Sequence, residues 1–171
     1  MRCILYRVAI VTASDKGAAG LREDISSVVA KELLEDAGYQ VVSMQILPDE
    51  RTELSACMAE ICDKNKADLL ITTGGTGLSP RDWTPEATLD IAQRQVYGIS
   101  EAMRAYSLTI TPKAMLSRGV SAIREKTLIV NLPGSPKAVK ENLAYILPAL
   151  AHGLDILTGK ANECATREEM S

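Results

Sequence analysis

Four times along this chain a short run of apolar and β-branched residues stops at a cluster of turn formers, and helically spaced apolar residues follow. The runs cover 6–12, 39–47, 67–73 and 127–132. They end, in order, at Ser14-Asp15-Lys16, at Pro48-Asp49-Glu50, at the stretch from Gly74 to Asp82, and at Asn131 to Ser135. Strands separated by helices cannot pair as hairpins, because a parallel neighbour needs a crossover of about a dozen residues or more. The alternation therefore predicts an α/β protein, a three-layer α/β/α sandwich with a mostly parallel central sheet. In such sheets ligands bind outside the carboxyl ends of the strands. The four turn clusters are thereby predicted to share one edge.

The helical segments have their own signals. Ile25, Val28, Val29 and Leu33 predict a helix over about 22–37, stopped by Gly38. Leu54, Cys57, Met58, Ile61 and Cys62 complete an i, i+3, i+4, i+7, i+8 face. Helices are expected over 85–93 and 99–107, separated by Gly98, with a short helical turn at 114–116. Strands over 120–123 and 127–132, around Arg124-Glu125-Lys126, read as a hairpin. Ser135 is placed to cap a helix with Pro136 at its first position, and Pro148 is expected to kink or restart it. Leu150, Leu154 and Leu157 then lead to Gly159. One domain over 1–160 and a polar, frayed tail over 161–171 are expected.

The third turn cluster is the richest. Three glycines in Gly74-Gly75-Thr76-Gly77 let backbone pack close to a ligand, and successive N–H groups in such a turn can cradle phosphate oxygens. Thr84-Pro85-Glu86 reads as a helix start, with a hydroxyl N-cap, proline at the first position and an acid near the positive dipole end. Two familiar phosphate loops are excluded. Pro80 and Arg81 stand where a P-loop needs Gly-Lys, and Pro80 stands where the third dinucleotide-fingerprint glycine belongs.

Composition narrows the function classes. A formal net charge of −3 gives no electrostatic case for nucleic acid or for an anionic membrane. No apolar run reaches a spanning length and the N-terminus lacks a signal-peptide layout, so a cytoplasmic protein is expected. Phenylalanine is absent, leaving Ile, Leu, Val, Ala and Met to fill the core. The four cysteines, Cys3, Cys57, Cys62 and Cys164, show no Cys-x-x-Cys spacing, and His152 is the single histidine. A zinc site is not expected, and Cys57 and Cys62 read as small buried hydrophobes.

With these residues assembled, the chain resembles the MogA/MoaB family. The resemblance is carried by Thr73-Gly74-Gly75-Thr76-Gly77, Pro80-Arg81-Asp82, Thr84-Pro85-Glu86-Ala87-Thr88, the stretch from Ile110 to Arg118, and Leu132-Pro133-Gly134-Ser135-Pro136. It runs from about Val8 to Leu157. Members are molybdopterin adenylyltransferases of molybdenum-cofactor biosynthesis, related to the gephyrin G domain. The resemblance implies transfer of AMP from Mg-ATP to the terminal phosphate of molybdopterin, releasing pyrophosphate, with Mg²⁺ required. It also implies a homotrimer and a metal-insertion partner protein in the same pathway. A non-catalytic molybdopterin-binding or carrier protein of the same family is the alternative. The molybdate-insertion branch shares part of the glycine block but normally has extra domains, for which this length has no room.

Residue by residue, the resemblance makes Asp49 and Asp82 the essential acids and Mg²⁺ ligands. Gly74, Gly75, Thr76 and Gly77 match the nucleotide and phosphate loop, and Ser107 a pterin-side hydroxyl. Ser117 and Arg118 are implied pterin or phosphate contacts. Pro133, Gly134 and Ser135 would offer main-chain contacts at a helix N-terminus, with the backbone amides those of Gly134 and Ser135. Plainer readings stand beside these. Asp49 could N-cap the helix that starts near Glu50. Asp82 could pair with Arg81 at the surface, and Ser107 could be solvated or bonded back to its own helix. Lys16 shares the same edge, with solvated lysine the plainer state. Trp83 departs from the family, which has a small aliphatic residue there; its ring could pack on the nucleotide or on a neighbouring subunit.

Overall fold

The computed structural model describes residues 5–159. The expected polar tail, Cys3 and Cys164 lie outside the described residues. Six strands form one sheet: β1 (Arg7–Ala13), β2 (Gln40–Leu47), β3 (Leu69–Thr73), β4 (Arg94–Gln95), β5 (Ser121–Arg124) and β6 (Thr127–Leu132). Their order across the sheet is β2-β1-β3-β6-β5-β4. The first four are parallel, while β5 runs antiparallel to β6 and β4 antiparallel to β5. The expected architecture is what forms, a three-layer α/β/α sandwich with a mostly parallel sheet.

The layers follow from which side chains point where. In a strand, alternate residues face opposite sides. Val8 and Ile10 of β1, with Leu69 and Ile71 of β3, face one layer. It is built from α2 (Ile25–Asp36), α5 (Tyr97–Leu108) and α6 (Pro136–Thr158). Ala9 and Val11, with Leu70 and Ile129, face the other layer, α3 (Arg51–Asp63) and α4 (Thr84–Ile91). Every residue of β3 and β6 is buried, as strands covered on both faces require. β2 lies at an edge, and Val42, Met44 and Ile46 remain exposed there.

Buried polar groups stitch the centre. Asn131 on β6 accepts a bond from the amide of Val120 at 3.1 Å. Its own amide donates to the hydroxyls of Thr72 (2.9 Å) and Thr88 (3.0 Å). Sheet, helix and the approach to β5 are thus tied at one buried amide.

Several expectations shift. Asp24 accepts from the amide of Ser27 at 3.0 Å, so the first long helix begins at Ile25 rather than near 22. Residues 15–18 make a single helical turn, α1 (Asp15–Ala18), capped by Ser14. α4 ends at Ile91, and Arg94–Gln95 pairs with β5 as an edge strand instead of extending a helix. Gly98 lies inside α5 rather than between two helices. The short turn is a 3-10 helix over Pro112–Leu116. α6 passes through Pro148 without restarting. Pro148 and Ala144 are both exposed, so the carbonyl that loses its helical donor can be hydrated.

Candidate functional site

The carboxyl ends of β1, β2, β3 and β6 do meet along one edge, and glycine is what lets them touch. Gly74 has φ +84°, and a Cβ there would lie 2.5 Å from the carbonyl oxygen of Ala13 at the end of β1. Gly75, at φ +65°, would place one 2.3 Å from Thr84 Oγ1 and 3.3 Å from Asp49 Oδ1. A Cβ on Gly134 would come 3.3 Å from the Cα of Gly74. The two glycine turns therefore pack main chain against main chain.

That packing forms a wall with a cavity on each side. One, of about 270 Å³, is lined by Thr76, Gly77, Ser107, Ser117 and Pro133, with Arg104, Asn131 and Asn142. The other, of about 400 Å³, is lined by Gly74, Gly75, Asp49, Asp82, Gly134 and Ser135, with Ser14, Arg22, Asp24 and Ser26. The site residues expected from sequence are divided between the two, except Arg118, which lines neither. Thr76 and Gly77 fall on one side of the β3 turn and Gly74 and Gly75 on the other. Pro133 parts from Gly134 and Ser135 in the same way. Lys16 is exposed and lines neither cavity, and His152 is exposed on α6.

The acids of the second cavity are held by specific bonds. Asp49 does not cap α3; Glu50 holds that position, without a side-chain cap bond. Instead Asp49 Oδ2 accepts from the amide of Asp15 at 2.9 Å, and the amide of Asp49 donates to Asp15 Oδ1 at 3.0 Å. Burial pushes the Asp49 carboxyl above its usual range. The Asp15 amide opposes this, the charges of Asp15 and Asp82 add to it, and Arg81 counters them. Asp82 Oδ2 accepts from the amide of Ser79 at 3.1 Å. Arg81 does not pair with Asp82; it bonds Asp15 and Glu50. Those bonds hold the Asp15 carboxyl below the usual range, the Arg81 guanidinium first and the Asp49 amide second.

Arg118 turns inward. Its guanidinium donates to the carbonyl of Gly77 (2.7 Å), the carbonyl of Asp82 (2.7 Å) and the Glu86 carboxylate. Its amide donates to the carbonyl of Thr76 at 2.8 Å. One side chain thus ties Gly77 to Asp82 across the loop, through three of its five N–H donors. Ser107, half-buried at the cavity, does not bond back to its own helix: its hydroxyl donates to Asn142 Oδ1 at 3.0 Å, across to α6. Trp83 occupies the N-cap position of α4, where Thr84 was expected. The guanidinium of Arg51 lies 5.9 Å from its ring, and Arg51 in turn forks onto Asp90 at 2.7 and 2.6 Å.

Cys62 is buried, while Cys57 is half-buried, with its thiol 3.3 Å from Gln45 Oε1. Ser135 caps α6 as expected, accepting from the amide of Ala138 at 3.2 Å, so the positive end of that long helix points toward the second cavity. Residues 22–26 were read only as the start of a helix. The Asp24 cap could have shown that residues 22–24 precede the helix, but nothing in sequence says that its first turn reaches the turn after β6. The hydroxyl of Ser26 does so, donating to the Gly134 carbonyl at 2.6 Å.

A mostly parallel sheet whose strand ends border two cavities, one of them acidic and both edged by glycine-rich main chain, defines an α/β protein with its pockets at the carboxyl edge of the sheet. The chain belongs, over residues 9–152, to the family described as "probable molybdopterin binding domain". It is 38% identical over 154 residues to a molybdopterin adenylyltransferase of Helicobacter pylori, covering 89% of this chain and 88% of that protein. Among solved structures it is similar to the molybdopterin biosynthesis enzyme MoaB of Thermus thermophilus. That match has a TM-score of 0.86 and 44% identity, over 91% of this chain and 98% of that one. The tungsten cofactor synthesizing protein MoaB of Pyrococcus furiosus superposes with a TM-score of 0.81 at 32% identity, over 90% and 98% of the two chains. No helix among the described residues is long and apolar enough to cross a membrane.

Proposed function

We propose that this protein is a molybdopterin adenylyltransferase acting in the biosynthesis of the molybdenum or tungsten cofactor. An oxygen of the terminal phosphate of molybdopterin attacks the α-phosphorus of ATP. The bond to the β-phosphate oxygen breaks, and adenylated molybdopterin and pyrophosphate leave. The observation that carries the reading is the pair of cavities separated by two glycine turns. Two anionic reactants held on either side of these turns would come together over glycine main chain, with the Asp82 carboxylate beside Gly77 at the boundary. The name of the Helicobacter pylori relative supports the same reaction.

Ser107 places the pterin in the first cavity, with Thr76, Gly77, Ser117 and Pro133 around it. The nucleotide takes the second, over Gly74, Gly75, Gly134 and Ser135, with the α6 N-terminus favouring its negative charge. Arg118 keeps the loop between them in shape. The protein need supply only positioning and charge for such a transfer.

The donor set fits Mg²⁺. That ion is commonly held by one or two carboxylates together with substrate phosphates. Among the described residues no three His, Cys, Asp or Glu side chains cluster to hold a metal by themselves. Asp49 and Asp82 line the same cavity and would hold the ion there. When bound it would neutralise phosphate charge. The reading extends to a single-domain cytoplasmic protein, to a homotrimer and to a metal-insertion partner that takes the product.

The test is pyrophosphate release from Mg-ATP in the presence of molybdopterin, for the wild type, Asp49→Ala and Asp82→Asn. Release that depends on pterin and is lost in both variants is expected. Tight pterin binding with no release by folded wild-type protein would replace the enzyme with a carrier.

A further inference from the structure

Arg81 lies on the loop after β3 but does not act there. Its Nε and Nη2 donate to Asp15 Oδ2 and Oδ1 at 3.0 and 2.9 Å, and its Nη1 donates to Glu50 Oε1 at 2.7 Å. Asp15 follows β1 and Glu50 follows β2, so one guanidinium joins the ends of three neighbouring strands. Asp15 passes the constraint on. The oxygen that receives Arg81 Nη2 also receives the amide of Asp49, while the amide of Asp15 donates to Asp49 Oδ2. One Asp49 oxygen is thereby fixed, and the other, Oδ1, is left toward Gly75.

Magnitude argues that these bonds serve geometry more than stability. Arg81, Asp15 and Glu50 are each nearly half exposed, and exposed ion pairs contribute little to stability. A forked guanidinium on a carboxylate nonetheless restricts direction as well as distance. A carboxylate held by reciprocal bonds to a neighbouring loop has few ways to turn.

We propose that Arg81 and Asp15 are positioning residues for Asp49, orienting its carboxylate in the acidic cavity through the pair of bonds between Asp15 and Asp49. The proposal rests on the reading that Asp49 serves the transfer. Neither Arg81 nor Asp15 need touch a substrate.

The experiment compares steady-state pyrophosphate release with amide hydrogen exchange at Asp15, Asp49 and, as a core control, Ile71. It uses the full chain as wild type, Arg81→Met, Arg81→Lys and Asp49→Ala. Because a displacement of about 1 Å can lower rates about 100-fold, Arg81→Met is expected to lower kcat by roughly 10- to 100-fold. KM for molybdopterin should stay within about threefold of wild type. The Asp15 and Asp49 amides should exchange faster and Ile71 should not. Arg81→Lys, able to make only some of the bonds, should recover part of kcat and part of the amide protection together.

Unchanged kcat in Arg81→Met, with Asp49→Ala inactive, overturns the proposal. So does a fall in kcat with both amides still protected, since Arg81 would then meet a substrate directly. If Arg81→Met loses Ile71 protection and is unfolded, Arg81→Lys carries the same comparison: kcat and protection recovering separately would overturn it. Undiminished kcat in Asp49→Ala would remove the reading beneath the proposal, an outcome that variant alone distinguishes.

Discussion

Gly74→Ala offers the sharpest test of how the two cavities are walled. The backbone there sits at φ +84°, where an L residue is penalised by about 1–2 kcal/mol. The new Cβ would lie 2.5 Å from the carbonyl oxygen of Ala13, and backbone in the middle of a parallel sheet cannot rotate away as a side chain could. Forcing β1 and the loop apart is an overpacking cost of about 1–3 kcal/mol. The sum is roughly 2–5 kcal/mol, which in a chain of 171 residues lowers Tm by roughly 4–20 °C. Urea unfolding followed by far-ultraviolet circular dichroism measures it, with Gly98→Ala as the matched control. Gly98 lies in α5 with nothing within 4 Å of its added Cβ. That variant should gain about 0.4–1 kcal/mol from a less flexible unfolded chain. Opposite signs are expected. A Gly74→Ala protein within about 0.5 kcal/mol of wild type would refute the claim that main-chain contact there demands glycine.

Other perturbations have different outcomes. Asn131→Ala strands the Val120 amide and removes the donor to Thr72 and Thr88, of which Thr88 keeps its bond to the Thr84 carbonyl, and should cost about 2–4 kcal/mol in the same unfolding assay. Pro148→Ala restores a helical donor in α6 and should raise stability by about 1–3 kcal/mol, seen as a higher urea midpoint. Burial pushes the Cys62 thiol from 9.0 up to about 11. The folded state then holds its proton over a pH range where the unfolded chain releases it. Its contribution to stability is complete below about pH 9 and is lost as pH rises through about 11. Cys62→Ala should flatten that decline in unfolding curves recorded from pH 8 to 11.

Much of this was legible because strand and helix periods leave different marks. Buried strands such as Leu69–Thr73 and Thr127–Leu132 read as continuous apolar runs, and the rule for parallel sheets then put four turn clusters on one edge. What sequence could not give was decided by register and by backbone sign. The link from Asp15 to Asp49 exists because β1 and β2 are neighbours in register, which neither segment announces. The division of Gly74 and Gly75 from Thr76 and Gly77 depends on two positive φ angles. Arg118 looks in sequence like a free phosphate ligand; only the fold shows three protein acceptors around its guanidinium. α1 and β4 are too short to display a period. Ser14 would accept from the amide of Gly17 in a simple turn as readily as in a helix.

The wall between the cavities also bears on the order of events during turnover. A catalyst that first takes a group onto one of its own side chains can release one product before the second reactant arrives, and it shows ping-pong kinetics. Here the two spaces adjoin across the glycine turns, and the proposed transfer runs directly from ATP to the pterin phosphate, with no adenylyl group resting on the protein. On the proposed reading both reactants must be bound together before either product exists. Initial-rate lines for the two substrates should therefore intersect rather than run parallel.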